Sequence, residues 1–135
     1  MKRKTVAELK IRAERSFQWY DSGQNEALLD QWPAQEFFKA INESTPMEWV
    51  DWLKKWTDGG GKIFGNRMIA LKNDPVWARI SKFNLPYSPF DEYDVMDVRD
   101  IEREVAESFG LILRTQSVQP VKRIWADDKK QIHVS

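Results

Sequence analysis

Apolar residues recur with helical spacing from the start of the chain. Val6, Leu9, Ala13, Phe17 and Tyr20 fall three and four apart and share one face of a helix. Thr5 stands in front of them with Glu8 three residues on, the spacing of a capping box, and Gly23 marks the end. Asn25–Gln31 reads as a second, short helix. Pro33 interrupts it, because proline lacks the amide donor and clashes with the preceding turn. Ala34 to Ile41 is expected to resume as helix, anchored by Phe37, Phe38 and Ile41. Ser44-Thr45-Pro46 has the form of another helix start. Trp49, Trp52, Leu53 and Trp56 follow at i, i+3, i+4 and i+7, the clearest periodic signal in the chain. Each large aromatic buries about 150–250 Å². A stripe of three indoles therefore reads as core or as a helix–helix contact.

Thr57-Asp58-Gly59-Gly60-Gly61-Lys62 stops that helix. The glycines and lysine do not make a phosphate loop. That motif needs G-x-x-x-x-G-K-[ST] between a strand and a helix, and here a helix precedes and Ile63 follows. A hinge or a tight backbone crossing is the expectation. Arg67–Leu71 reads as a strand or a buried helical turn. Asp74-Pro75 opens a helix with Trp77, Ile80 and Phe83 on one face. Leu85-Pro86-Tyr87-Ser88-Pro89-Phe90 must be extended, since each proline pushes its predecessor out of helical geometry. Such a segment either packs across the domain or offers a binding surface. Asp100 is placed as the cap of a helix from Ile101 to Phe109 that Gly110 closes. Leu111–Leu113, Val121–Trp125 and Gln131–Val134 read as one or two short strands.

The pattern predicts an α+β fold: a helix-dominated single domain, 1–135, with a small C-terminal β element. Residues 1–45 hold N-terminal helices, 46–112 an aromatic and proline-rich segment, and 113–135 short strands or a tail. Trp49, Trp52, Trp56, Ile69, Leu71, Trp77, Ile80, Val105 and Phe109 are the expected core. A length of 135 residues suits one domain. Hydrophobic residues at 41% and charged residues at 31% exclude a disordered tail and a membrane protein. The basic start at Lys2-Arg3-Lys4 is not followed by an apolar run, so no signal peptide is expected. The expected location is the cytoplasm or a virion assembled there.

Charge changes the picture more than composition does. Lys plus Arg and Asp plus Glu both number 21, so no overall cationic grip on nucleic acid is expected. Locally the balance is uneven. Residues 1–15 net +4, residues 54–82 net +5, and residues 91–107 net −6. Opposite patches on one molecule favour pairing within the chain or association between copies. In the second basic zone, Lys54, Lys55, Lys62, Arg67 and Lys72, with Trp56 or Phe64 for stacking, define a nucleic-acid-binding alternative.

Candidate chemistry is sparse. The chain has no cysteine, which removes disulfides, thiolate zinc sites and thiol catalysis. Its one histidine, His133, sits near the C-terminus, a poor place for a triad. Asp91, Asp94 and Asp97 recur every three residues and are the metal candidates, since hard cations want several converging oxygens. A small metal-dependent hydrolase is the second alternative. No cofactor and no catalytic residue is assigned.

Two runs carry a likeness. Gly65-Asn66-Arg67-Met68-Ile69-Ala70-Leu71-Lys72-Asn73-Asp74-Pro75-Val76-Trp77, then Leu85-Pro86-Tyr87-Ser88-Pro89-Phe90-Asp91, resemble a segment of phage and prophage minor-head proteins of the Mu F-like, head-morphogenesis group. The order continues through Val98-Arg99-Asp100-Ile101 and Gly110-Leu111-Ile112, so the likeness covers about residues 57–112. Two positions depart from it. Ser88 stands where a second proline is expected, and Tyr93-Asp94-Val95 where a glycine-serine-glycine turn is expected. The resemblance implies a virion-assembly role through protein–protein contact, with capsid or portal components as partners and self-association as a further outcome. Arg67, Tyr87 and Phe90 are then the expected partner-binding residues, with Tyr87 and Phe90 exposed.

Overall fold

In the computed structural model, residues 2–133 are described. Helix α1 (Val6–Ser22) leads to α2 (Glu26–Gln31) and strand β1 (Ala34–Lys39). Helix α3 (Trp49–Asp58), the hairpin of β2 (Ile63–Phe64) and β3 (Arg67–Leu71), and α4 (Val76–Ile80) follow. Strand β4 (Met96–Ile101), α5 (Arg103–Ser108), α6 (Trp125–Asp128) and a 3₁₀ turn (Lys129–Gln131) complete the chain. The class is α+β, with six helices against one four-stranded antiparallel sheet in the order β2-β3-β1-β4.

The capping box forms: Glu8 N donates to Thr5 Oγ1 at 3.2 Å, and Thr5 N donates to Glu8 Oε1 at 3.0 Å. Several expected elements differ. Residues 34–41 contain β1 and no helix, and β1 is the middle strand, paired with β3 on one side and β4 on the other. Its first four residues are all buried, so polar and apolar positions do not alternate along it. A strand buried on both faces loses its period of two, and Phe37 and Phe38 then resemble helix anchors. Helix α3 begins three residues after Pro46, where the Glu48 amide donates to Asp51 Oδ2 at 2.9 Å. Ile101 ends β4 instead of opening a helix, and the helix follows at Arg103.

The sheet is not at the C-terminus. Among the described residues, Leu111–Leu113 and Val121–Ile124 are in no strand, and Trp125 opens α6. Residues 131–133 are the end of a 3₁₀ turn and coil, and Val134 lies outside the described residues. The strand beside β1 is supplied by β4, earlier in the chain, and not by the β-branched tail.

Register separates the two faces of the sheet. Phe37 opposes Met68 and Val98, and with Ala70 these pack on Trp52, Trp56, Val76 and Trp77 of α3 and α4. Ala34 opposes Leu71 and Ile101, and with Ile69 these pack on Leu29, Ala106, Ile112 and Val118. A third cluster sets Leu9 and Ala13 of α1 on Phe83, Leu85, Tyr87 and Ile132. Of the expected core, Trp52, Trp56, Ile69, Trp77 and Ile80 are buried; Trp49, Leu71, Val105 and Phe109 are partly buried against those clusters. No helix among the described residues is long and apolar enough to cross a membrane.

The glycine run makes a tight crossing. Trp56 Nε1 donates to Lys62 O at 2.8 Å, which draws the loop over the indole. A Cβ on Gly61 would lie 2.4 Å from the Trp56 ring. Trp56 is fully buried and wedged against Phe37 and Trp77, so it has nowhere to retreat. Gly61→Ala is therefore expected to destabilise the protein by about 1–3 kcal/mol, the cost of overpacking, read as a lowered urea midpoint at unchanged m.

Candidate functional site

The proline-rich segment is inside the protein. Leu85, Tyr87 and Phe90 are buried, and Lys82 N donates to Phe90 O at 2.8 Å to close the loop. Tyr87 and Phe90 are thus not the exposed contact residues expected. Both rings are taken up by aromatic neighbours: Tyr87 packs on Phe17 and Tyr20, and Phe90 meets Phe37 edge-on with centroids 5.0 Å apart. The Tyr87 hydroxyl donates to Asp128 Oδ2 at 2.8 Å, and Arg123 grips the same carboxylate through Nε at 2.9 Å and Nη2 at 3.1 Å. Burial, reinforced by that carboxylate, pushes the Tyr87 pKa far above the usual phenol value. The segment therefore staples the C-terminal helix to the body.

Arg67 is half-exposed and already committed. Its Nη2 reaches Glu36 Oε1 at 2.9 Å and its Nε reaches Oε2 at 3.0 Å, while Arg99 Nε reaches Oε1 at 3.1 Å. Three other cations of 54–82 are paired as well. Lys54 pairs with Asp58 at 2.7 Å, Lys72 with Asp100 at 2.7 Å, and Lys82 with Glu92 at 2.7 Å. Lys55 lies 5.6 Å from the Trp52 ring centroid, and burial pushes its pKa down against the pull of Asp91. Lys62 is exposed and makes no ion pair among the described residues. The basic zone is thus spread over α3, the β2–β3 hairpin and the loop after it.

The acidic stretch closes on itself and on α1. Asp91 Oδ1 accepts from Tyr93 N and Asp94 N, both at 3.0 Å, and forms a turn. Asp94 takes a positive φ of 51° at its centre. That conformation favours glycine and tolerates aspartate. Arg12 then joins Asp94 Oδ2 at 3.1 Å to Asp97 Oδ2 at 2.9 Å. Ser88, in place of a proline, donates to Asp97 Oδ1 at 2.9 Å. Among the described residues no group of three His, Cys, Asp or Glu is arranged to hold a metal ion. Asp94 and Asp97 meet at a guanidinium, and Asp91 faces backbone amides.

One cavity lies elsewhere, between α1, α2 and the sheet. Its lining includes Trp19, Trp32, Gln35, Lys72 and Asp100. The sequence reading singled out only Lys72 and Asp100, and for other roles. One signal marks Trp19, which falls off the apolar stripe of α1; Trp32 and Gln35 carry none. Protein-family models, curated proteins and solved structures all return no match to this chain.

Two consequences can be measured. Tyr87→Phe is expected to cost about 1–2 kcal/mol, because buried Asp128 loses a donor; an exposed contact tyrosine would cost within about 0.5 kcal/mol. The second concerns Asp94, whose pKa burial pushes up to about 6 despite Arg12. An acid with a raised folded pKa binds its proton more tightly folded than unfolded. Its stabilising contribution is present at pH 4 and lost as pH rises through 6. Asp94→Asn should gain on wild type between pH 4 and pH 7, by on the order of 2–3 kcal/mol, in urea titrations across that range.

Proposed function

We propose that this chain is a phage- or prophage-derived assembly component that acts in head morphogenesis by protein–protein contact, in the cytoplasm or in the virion. The observation that carries this reading is the use of its charge. Arg12 is paired with Asp94 and Asp97, Arg67 and Arg99 with Glu36, Lys72 with Asp100, and Lys82 with Glu92. A polyanion-binding surface needs cations free to release counterions. A hydrolytic metal needs carboxylates free to converge. Here Arg12, Arg67, Lys72 and Lys82 are each held by a carboxylate, and those pairs serve shape. The likeness of residues 57–112 to minor-head proteins supports the same reading. The contact area is assigned to apolar side chains that the fold leaves out: Ile11, Val50, Leu113 and Ile124, each more than half exposed.

The test is to read the genes that adjoin this chain's for capsid and portal proteins and to co-express those with it, followed by size-exclusion chromatography; neighbours of neither kind overturn the reading. Co-elution is expected, and Leu113→Asp with Ile124→Asp should abolish it without lowering the melting temperature. Elution of the chain alone overturns the reading, as does single-stranded DNA binding whose affinity falls steeply between 50 and 200 mM salt.

A further inference from the structure

The geometry points to a second, separate capability: we propose that the cavity between α1, α2 and the sheet binds a neutral planar six-membered ring with an amide-type edge, the chemistry of a pyrimidine base. Trp19, Tyr20, Leu28 and Trp32 form its walls. Trp19 is 42% exposed and Leu28 40% exposed, so a large aromatic and an aliphatic side chain are left open to water at this site. Aromatic walls favour a flat ring, because π faces stack and a stacked base is held by about 1–3 kcal/mol.

Polar groups complete the lining. Gln35 lies on the middle strand, is only 4% exposed and lines the cavity, and its amide is not one of the buried side-chain groups left without a partner, so it is open to what enters the cavity. A ligand that displaced water from this amide without replacing its hydrogen bonds would forfeit about 1–3 kcal/mol. A carboxamide offers one acceptor and two donors side by side. It therefore matches a ligand edge that carries a donor next to an acceptor, as a cyclic amide does. Asp100 stands directly opposite Gln35 across the strand pair, and Lys72 meets it at 2.7 Å with its side chain 10% exposed. This pair sums to zero charge, which selects against a ligand carrying a net charge. Lys72 also lies 5.8 Å from the Trp19 ring centroid, so the pair and the aromatic wall adjoin.

Size restricts the ligand further. The cavity measures about 140 Å³. An apolar cavity of about 150 Å³ holds one benzene. One six-membered ring fits, and whatever it is attached to must leave through the mouth. A plain hydrocarbon would fill the volume and leave Gln35 unpaired. The same ring chemistry can arrive as a free nucleoside or as an unstacked base of a single strand.

The experiment is a ¹H–¹⁵N NMR titration of the full chain with uracil, uridine, 1,3-dimethyluracil, benzene and a hexathymidine strand. The indole N–H signals are assigned by Trp19→Phe and Trp32→Phe. Uracil and uridine are expected to shift the Trp19 and Trp32 indoles and the Gln35 side-chain amide. Dimethyluracil and benzene should bind about tenfold more weakly or not at all, the worth of one lost neutral hydrogen bond. Gln35→Leu should weaken uracil about tenfold and leave benzene unchanged. If hexathymidine moves the same signals at lower concentration than uridine, the source is a strand; if it does not, the source is a free nucleoside. Silence of these signals at millimolar uracil overturns the proposal in the wild-type chain alone. So does benzene binding as tightly as uracil, or a folded Gln35→Leu variant that binds uracil unchanged.

Discussion

Glu36 stands on the middle strand with a buried carboxylate, and an arginine from each flanking strand reaches it. Taking a charge out of water costs several kcal/mol, which excellent geometry must offset. Here three N–H bonds from two guanidiniums do so. Burial raises the Glu36 pKa, the arginine bonds outweigh it, and the group ends below the ordinary glutamate value. Its contribution is thus present above the unfolded pKa and lost as pH falls through the folded one. Both arginine heads are about half-exposed, so the energy gained is modest. What the clamp specifies is register. Side chains alternate along a strand, so a slip of one residue would carry Glu36 to the face that holds the indoles and Phe37 to the arginines.

Register in turn builds the larger core. With Glu36 on one face, Phe37 projects from the other and meets Trp52 at 5.2 Å, Phe90 at 5.0 Å and Trp56 at 6.4 Å between centroids. Trp56 then meets Trp77 at 5.0 Å with planes 70° apart, an edge-to-face arrangement that favours aromatic pairs. Both indoles need an acceptor. Trp77 donates to Leu71 O and Trp56 to Lys62 O, each at 2.8 Å. Those carbonyls lie at the two ends of the β2–β3 hairpin. The hairpin is thus anchored to α3 and α4 by the same rings that fill the core, and the absent side chain of Gly61 makes room for one of them.

What could be read from the chain follows from where each signal lies. The capping box at Thr5 and Glu8 and the Trp52–Trp56 stripe are local signals, and both elements stand. The stop and tight crossing at Gly59–Lys62 were local too. β1 was missed because a middle strand buries both faces, which erases the alternation that identifies a strand. β4 was missed for the opposite reason. Met-Asp-Val-Arg-Asp-Ile is an edge strand whose charges pair outward, so it reads as a solvated acidic stretch. Asp100 looked like a helix cap because residues 103–108 do form a helix; its partner is Lys72, 28 positions earlier in the chain. No window of one sequence contains that pairing.

The opposed charge zones and the proline-rich segment share this lesson, and it bears on where recognition can occur. Aromatic rings among prolines have the composition of a contact hot spot, and composition does not say which way they face. Tyr87 faces inward because Asp128 and Arg123, more than 30 residues later, complete its hydrogen bonding. The basic and acidic zones likewise look like binding surfaces until they are folded together, whereupon Arg12 and Lys72 find their carboxylates. Once these groups are committed, the features left over are those the rest of the fold does not use. Among them are the exposed Trp19 and Leu28 and the cavity-lining amide of Gln35. With those charges spent on shape, recognition falls to groups the core and the ion pairs leave over, and these three line one cavity.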